Sequence, residues 1–400
     1  MSPAAAGPRF SLGTWCGWVV VFGLAVTPIV GWLVPMGFAT VLGFLGLLAL
    51  PAIRVRDEQR PTAVFLLLLL IWAAMSTAWS PYHPSKPGNN TALKLAAQLP
   101  LYWAVICAGW RAAPRLKTLG LKVLAWGAAL FGVLLFIEFA TDVQVYDYLH
   151  IHYLGPIRHD ISQAHIAHSS FVLAVIWPLA LAAAVKTRIT PWVAVPAVAG
   201  LLAAAVRFGA DAPVLAVLLA LMVGFAAWCW PRATPRALAG LGVVYLLAAP
   251  AVVWAVRASG RYGAIQDAIP LSWSERMGFW SHTVDWIRNH PLRGWGLDAS
   301  RMFGPGIVLH PHDDALQLWL ELGLVGVLLA AGVWWTTVSR LARPERDIGA
   351  VAVTASASVY LLFGALNFGV WQEWWLALAA LIAVVAALMG PEPEPSRAST

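Results

Sequence analysis

The residues best suited to chemistry gather in one late stretch. In HPHDDALQLWLELGLVG, His312 stands between Pro311 and the acids Asp313 and Asp314, with His310 two residues earlier and an apolar helical run just after. An unperturbed imidazole can take a proton from a hydroxyl near neutral pH. The helix start favours the neutral ring and the flanking acids favour the cation, so the direction of any pKa shift stays open. Asp314, Gln317 and Glu321 fall on one helix face, and Glu321 lies about 13 Å below His312. A carboxylate at that depth needs a partner or water, either in a functional site or in a helix–helix hydrogen bond. Gly323 and Gly326, one turn on, would let helices pack closely. Upstream, SWSERMGFWSHTVDWIRNHP places Arg276 and Trp280 four residues apart, where the indole can brace the guanidinium. Residues 257–314 carry six arginines, among them Arg261, Arg276, Arg293 and Arg301, against six acids. That balance excludes a general basic patch. Any anion site must be a local convergence of a few arginines, whose planar forks suit a diphosphate. No HExxH or Cys-His spacing accompanies the histidines, so no metal or other cofactor is expected.

These groups need a scaffold, and the composition names its solvent. Of 400 residues, 60% are hydrophobic and only 11% charged, which describes an all-α integral membrane protein and excludes a secreted disulfide scaffold or a nucleic-acid-binding domain. A helix needs roughly 20 apolar residues to cross, so about twelve spans are expected. Apolar runs place them near 13–30, 33–53, 61–79, 93–110, 118–140, 163–185, 190–206, 210–230, 237–256, 315–336, 348–368 and 373–390. Arg9 ahead of the first run imitates a secretory leader, but no cleavage pattern follows and the run reads as a span. Cys16, Cys107 and Cys229 lie in apolar runs and read as packing residues. Many of the 23 tryptophans sit at run ends, as an interfacial belt requires.

Lys and Arg set the orientation. Arg54, Arg56, Arg60, Arg111, Arg115, Lys186, Arg232, Arg340, Arg343 and their neighbours occupy alternate loops, which the positive-inside rule assigns to the cytoplasm together with both termini. All ten histidines then fall on the other side. The chain divides into nine spans over 1–256, a large outside loop over 257–314, three spans over 315–390 and a disordered cytoplasmic tail over 391–400. Within the loop, Ser272 and Glu275 have capping-box spacing, Met277, Trp280, Val284 and Ile287 form a stripe, and Pro291 closes the run. A short amphipathic helix is expected there, lying on the membrane or capping the bundle.

His312-Asp313, nine residues, then Gly323-Leu324-Val325-Gly326 resembles the H-[NSQ]-x9-G-x-x-G signature of the O-antigen ligase and polymerase superfamily. Arg276 with Trp280, and then His290-Pro291-Leu292-Arg293-Gly294-Trp295-Gly296, resemble that family's R-x3-W and hPlxGxG patterns. Asp313 departs from the usual amide or hydroxyl. At the expected second arginine stands Asp211, with Arg207 four residues earlier, free either to substitute or to pair with Asp211. The resemblance implies a GT-C-like helical enzyme of the bacterial inner membrane. It would move a glycan from undecaprenyl diphosphate to a sugar hydroxyl of lipid A-core at the periplasmic face, without a metal. His312 and Arg276 would be catalytic, with Arg207, Arg261, Arg293, Trp280, His310, Asp313 and Glu321 binding substrate. A polymerase joining lipid-linked repeat units, or a secondary transporter, are the alternative readings.

Overall fold

The computed structural model describes residues 11–390, so the tail expected over 391–400 lies outside the described residues. The described chain is helical, with no strand. Its helices are α1 (Leu12–Leu33), α2 (Phe38–Ala49), α3 (Arg60–Ser76), α4 (Thr91–Arg111), α5 (Pro114–Thr141), α6 (Gln144–Tyr153), α7 (His159–Lys186), α8 (Ala194–Arg207), α9 (Asp211–Cys229), α10 (Ala233–Ala258), α11 (Tyr262–Ala268), α12 (Leu271–Ile287), α13 (Asp314–Val338), α14 (Ile348–Leu366) and α15 (Glu373–Met389). Among the described residues ten helical stretches are long and apolar enough to cross a bilayer. The expectation of about twelve also counted Pro191–Arg207 and Glu373–Met389, apolar helices of 17 residues or fewer. At 1.5 Å per residue each reaches only about 25 Å, short of the hydrocarbon thickness without help from flanking residues.

Among the described residues two large cores and a small third cluster around Leu238, Ala239, Val338 and Ala357 form, and the division between the two large ones sets up the site. The larger buries side chains of α1, α2, α4, α5, α7, α8, α9, α14 and α15, including Phe131, Leu173, Val359 and Trp375. The smaller joins α3, α10, α12 and α13 through Leu246, Val284, Leu316 and Leu320. The expected amphipathic helix is α12, and it caps the smaller bundle by burying Met277, Val284 and Ile287. The expected capping box is absent. Pro270 is the N-cap, without a side-chain hydrogen bond, which puts Ser272 already inside the helix. A second short helix, α6, fills much of the stretch between α5 and α7.

Candidate functional site

The site begins with a break in α13. Gly323 has φ 63° and ψ −166°, a conformation outside the helix, and one that a side chain would strain. A Cβ there would lie 2.4 Å from the Leu292 carbonyl oxygen, and one on Gly294 would lie 2.3 Å from the Glu321 carbonyl oxygen. The two backbones therefore touch. The broken turn releases carbonyls and N–H groups that the 291–296 loop takes up: Trp295 N donates to Leu320 O at 2.8 Å and Gly296 N to Glu321 O at 2.8 Å, while Leu324 N donates to Pro291 O at 2.9 Å. Non-helical backbone at membrane depth survives only when re-paired in this way. This corrects the expectation for Gly323: it interrupts the helix so that a loop can dock, rather than easing helix packing. The two glycine motifs, about thirty residues apart in the chain, form a single backbone clasp.

Glu321 locks the clasp. Its side chain is fully buried. It accepts from Ser300 Oγ at 2.7 Å, Gln317 Nε2 at 3.1 Å, Asp298 N at 3.0 Å and Trp371 Nε1 at 2.7 Å. A carboxylate has about four acceptor positions, and all are used. Glu321 thus knots together the loop before α13, α13 itself and the α14–α15 connection. Asp313 also has a structural part. It is the N-cap of α13, accepting from Leu316 N at 2.8 Å and Tyr245 Oη at 2.9 Å. Asn and Ser cap equally well, so the departure from the family signature keeps its helix-starting chemistry. Burial raises the Asp313 pKa to about 7, against the lowering effect of these hydrogen bonds.

On this frame His312 takes up φ 58°, a left-handed backbone that costs free energy and is common at functional sites. His312 Nδ1 lies 2.9 Å from the Asn367 carbonyl. A carbonyl can only accept, so the ring donates from Nδ1 and keeps the Nε2 lone pair free. Phe279 stacks on the ring at 5.8 Å between centroids. Burial lowers the His312 pKa, the Asn367 hydrogen bond opposes that, and the Arg276 charge lowers it further. Arg276 is thus near enough for His312 to feel its charge. Its own pKa is lowered, chiefly by burial. The expected brace differs. Arg276 stands over Trp273, with Cζ 5.5 Å from the ring centroid, while Trp280 Nε1 donates to Pro311 O at 3.1 Å and so holds the loop before His312.

His310 joins the pair, its ring centroid 4.3 Å from that of His312. Its Nδ1 accepts from His312 N at 3.1 Å, which leaves the ring proton on Nε2, so the neighbouring Gln372 amide can take it only with its oxygen, which is otherwise unpartnered, turned toward the ring. Burial, then the His312 and Arg301 charges, push its pKa down to about 3. Arg301 was only one of six loop arginines in the sequence. In the fold, Ser300 Oγ donates to Leu309 O at 2.9 Å, which draws residues 300–301 beside 309–310. Arg301 Nε donates to Asp298 at 3.0 Å and the guanidinium lies over Tyr82. Asn367, Gln372, Phe279 and Tyr245 were also missed, because they reach the site through tertiary packing and stand in no local motif.

The remaining expected residues lie apart. Arg293 stacks over Trp79 at 5.8 Å, and Arg261 is an exposed N-cap of α11. Arg207 pairs with Asp142 at 2.9 Å, not with Asp211, in a separate cluster with His159 and Gln163. Among the described residues no hydrogen bond, ion pair or ring contact links Arg207 to His312 or Arg276. Among the described residues no group of three His, Cys, Asp or Glu is arranged to hold a metal ion.

Residues 173–331 match the family model described as O-antigen ligase, a stretch that includes Arg207, Arg276, His312 and Gly323. A Rickettsia conorii protein named "Putative polysaccharide ligase" is 24% identical over 131 residues, 29% of this chain and 32% of that protein. A Rickettsia bellii protein of the same name is 30% identical over 81 residues, 20% of each chain. A Rickettsia felis relative is 22% identical over 130 residues, 29% of this chain and 32% of its own length. The match spans about a third or less of these relatives. No solved structure matches the chain. The resemblance to O-antigen ligases therefore rests on the family match and these relatives as well as on the motifs.

Proposed function

We propose that this membrane protein is an O-antigen ligase-type glycosyltransferase, moving a glycan from undecaprenyl diphosphate to a sugar hydroxyl. The carrying observation is the His312 ring held through Nδ1 by the Asn367 carbonyl, which leaves Nε2 free to act as a base, with the Arg276 charge among the causes that lower its pKa. His312 Nε2 accepts the proton of the acceptor hydroxyl as its oxygen attacks the anomeric carbon. The bond from that carbon to the diphosphate breaks, and the electron pair leaves on the diphosphate. Arg276 neutralises the departing charge, with Arg301 as a second guanidinium beside His310. His310 holds the His312 backbone in its left-handed conformation, and Asn367 fixes the imidazole tautomer. The same reading sets the site at the periplasmic face of a bacterial inner membrane, with both termini cytoplasmic and lipid A-core as the acceptor.

The test is transfer in vitro by purified protein, with a defined lipid-diphosphate donor and two acceptors offered separately. Glycan appearing on lipid A-core is the expected result. Glycan appearing only on a second donor molecule would make the protein a polymerase instead. Absence of transfer to either acceptor would overturn the reading.

A further inference from the structure

The two cores leave a deep apolar groove between them. Its volume is about 960 Å³, with α3, α10 and α13 on one wall and α4, α14 and α15 on the other. Its lining extends from Arg56, Arg340 and Arg343 to Asp314 and Trp371. At the end near the histidines it is lined by Asp314, Val370 and Trp371. These belong to the turns that hold His312 and His310, but neither histidine nor Arg276 lines the groove. The opposite end is lined by Arg56, Arg340 and Arg343.

Charge along this groove is one-sided. The acids at the arginine end are already paired: Glu58 with Arg56 at 2.8 Å, Asp57 with Arg60 at 2.7 Å and Asp347 with Lys186 at 3.0 Å. Among the described residues no ion pair is found for Arg340 or Arg343. The other end presents the Asp314 carboxyl, which in either protonation state supplies no positive charge. An apolar channel with two unpaired guanidinium groups at one mouth and an acid at the other fits an amphiphile with an anionic head in one orientation only.

We infer that the groove binds an anionic glycerophospholipid from the leaflet on the arginine side. Its phosphate lies against Arg340 and Arg343, and an acyl chain lies between the two bundles, pointing toward the histidines. The arginine forks suit phosphate oxygens, and the apolar walls exclude water from the chain. This site is separate from the diphosphate site at Arg276, and the inference stands whether or not the protein transfers glycans.

Native mass spectrometry of the full chain in detergent, given equal amounts of phosphatidylglycerol and phosphatidylethanolamine with matched chains, tests it. Two basic groups at a lipid headgroup should favour the anionic lipid by roughly 10- to 30-fold. Arg340→Gln with Arg343→Gln should abolish that preference, and Arg115→Gln with Lys122→Gln, exposed on α5, should leave it intact. Inorganic phosphate should not displace the lipid. A folded wild type without the preference, a preference surviving in the Arg340/Arg343 variant, or one lost equally in the α5 variant would overturn the inference. One-for-one displacement by undecaprenyl phosphate would assign the groove to the carrier and overturn it too.

Discussion

Two clusters of polar residues stand on the histidine-bearing side, and they are built differently. Around His312 the polar groups are buried and many are hydrogen-bonded: Glu321 accepts four hydrogen bonds, Asp313 caps α13, and His310 accepts from the His312 backbone, while Asp314 Oδ1, Asn367 Oδ1 and Gln372 Oε1 are buried without a partner among the described residues. Around Arg207 they are exposed ion pairs, with the Arg207 and Asp142 side chains 47% and 42% accessible. Buried, hydrogen-bonded networks hold a narrower geometry than exposed pairs, which exchange readily with water. A base and an anion-binding group must stay aligned through a reaction. The first cluster is constructed for that, and the second is not.

The sharpest break of this contrast is Glu321→Ala. It orphans four buried donors from three stretches of the chain, and a loss on the order of 3–5 kcal/mol is expected. The thermal unfolding midpoint in detergent should fall by many degrees. Asp142→Ala, removing an exposed partner, should cost about 0–1 kcal/mol. Equal shifts in the two variants would erase the distinction. Gly323→Ala should resemble Glu321→Ala in kind, because the new Cβ meets the Leu292 carbonyl oxygen at 2.4 Å on a positive φ.

Arg276→Ala should slow transfer by roughly 10²–10³-fold at unchanged fold, with Arg207→Ala changing the rate by no more than a few-fold. Initial rates with one donor and acceptor decide it, and a larger loss in the Arg207 variant would move the diphosphate site to the second cluster.

The pH dependence sharpens the contrast more gently. Burial and the Arg276 charge lower the His312 pKa, so the neutral base persists below the usual histidine value of about 6.5. The acid limb of the kcat/KM profile should therefore lie below that value. Arg276→Gln removes the nearby cation and should move the limb upward in whatever activity remains. His310, held near 3, accepts a proton more easily when unfolded, so stability should decline as pH falls from about 6.5 toward 3. A limb unmoved by Arg276→Gln would separate the two groups.

Much of the fold was legible because bilayer crossing imposes long apolar runs, and every expected span overlaps an observed helical stretch. The His312 motif was legible for the same reason, being local. What the sequence concealed was pairing across distance. Gly323 and Gly294 each read as an isolated small residue, and only the fold reveals that they share one contact. Glu321 read equally as a site residue or a helix tie, because the donors that saturate it come from residues 298, 300, 317 and 371. Arg301 could not be told from five other loop arginines until Ser300 was seen tied to Leu309. The partner of Arg207 was missed because Asp142 lies 65 positions away.

The most direct measurement is single-turnover transfer by His312→Ala, with donor binding followed in parallel. The account predicts a rate reduced by roughly 10²–10⁴-fold, with donor affinity and thermal midpoint near those of the wild type. Transfer at the wild-type rate would contradict it.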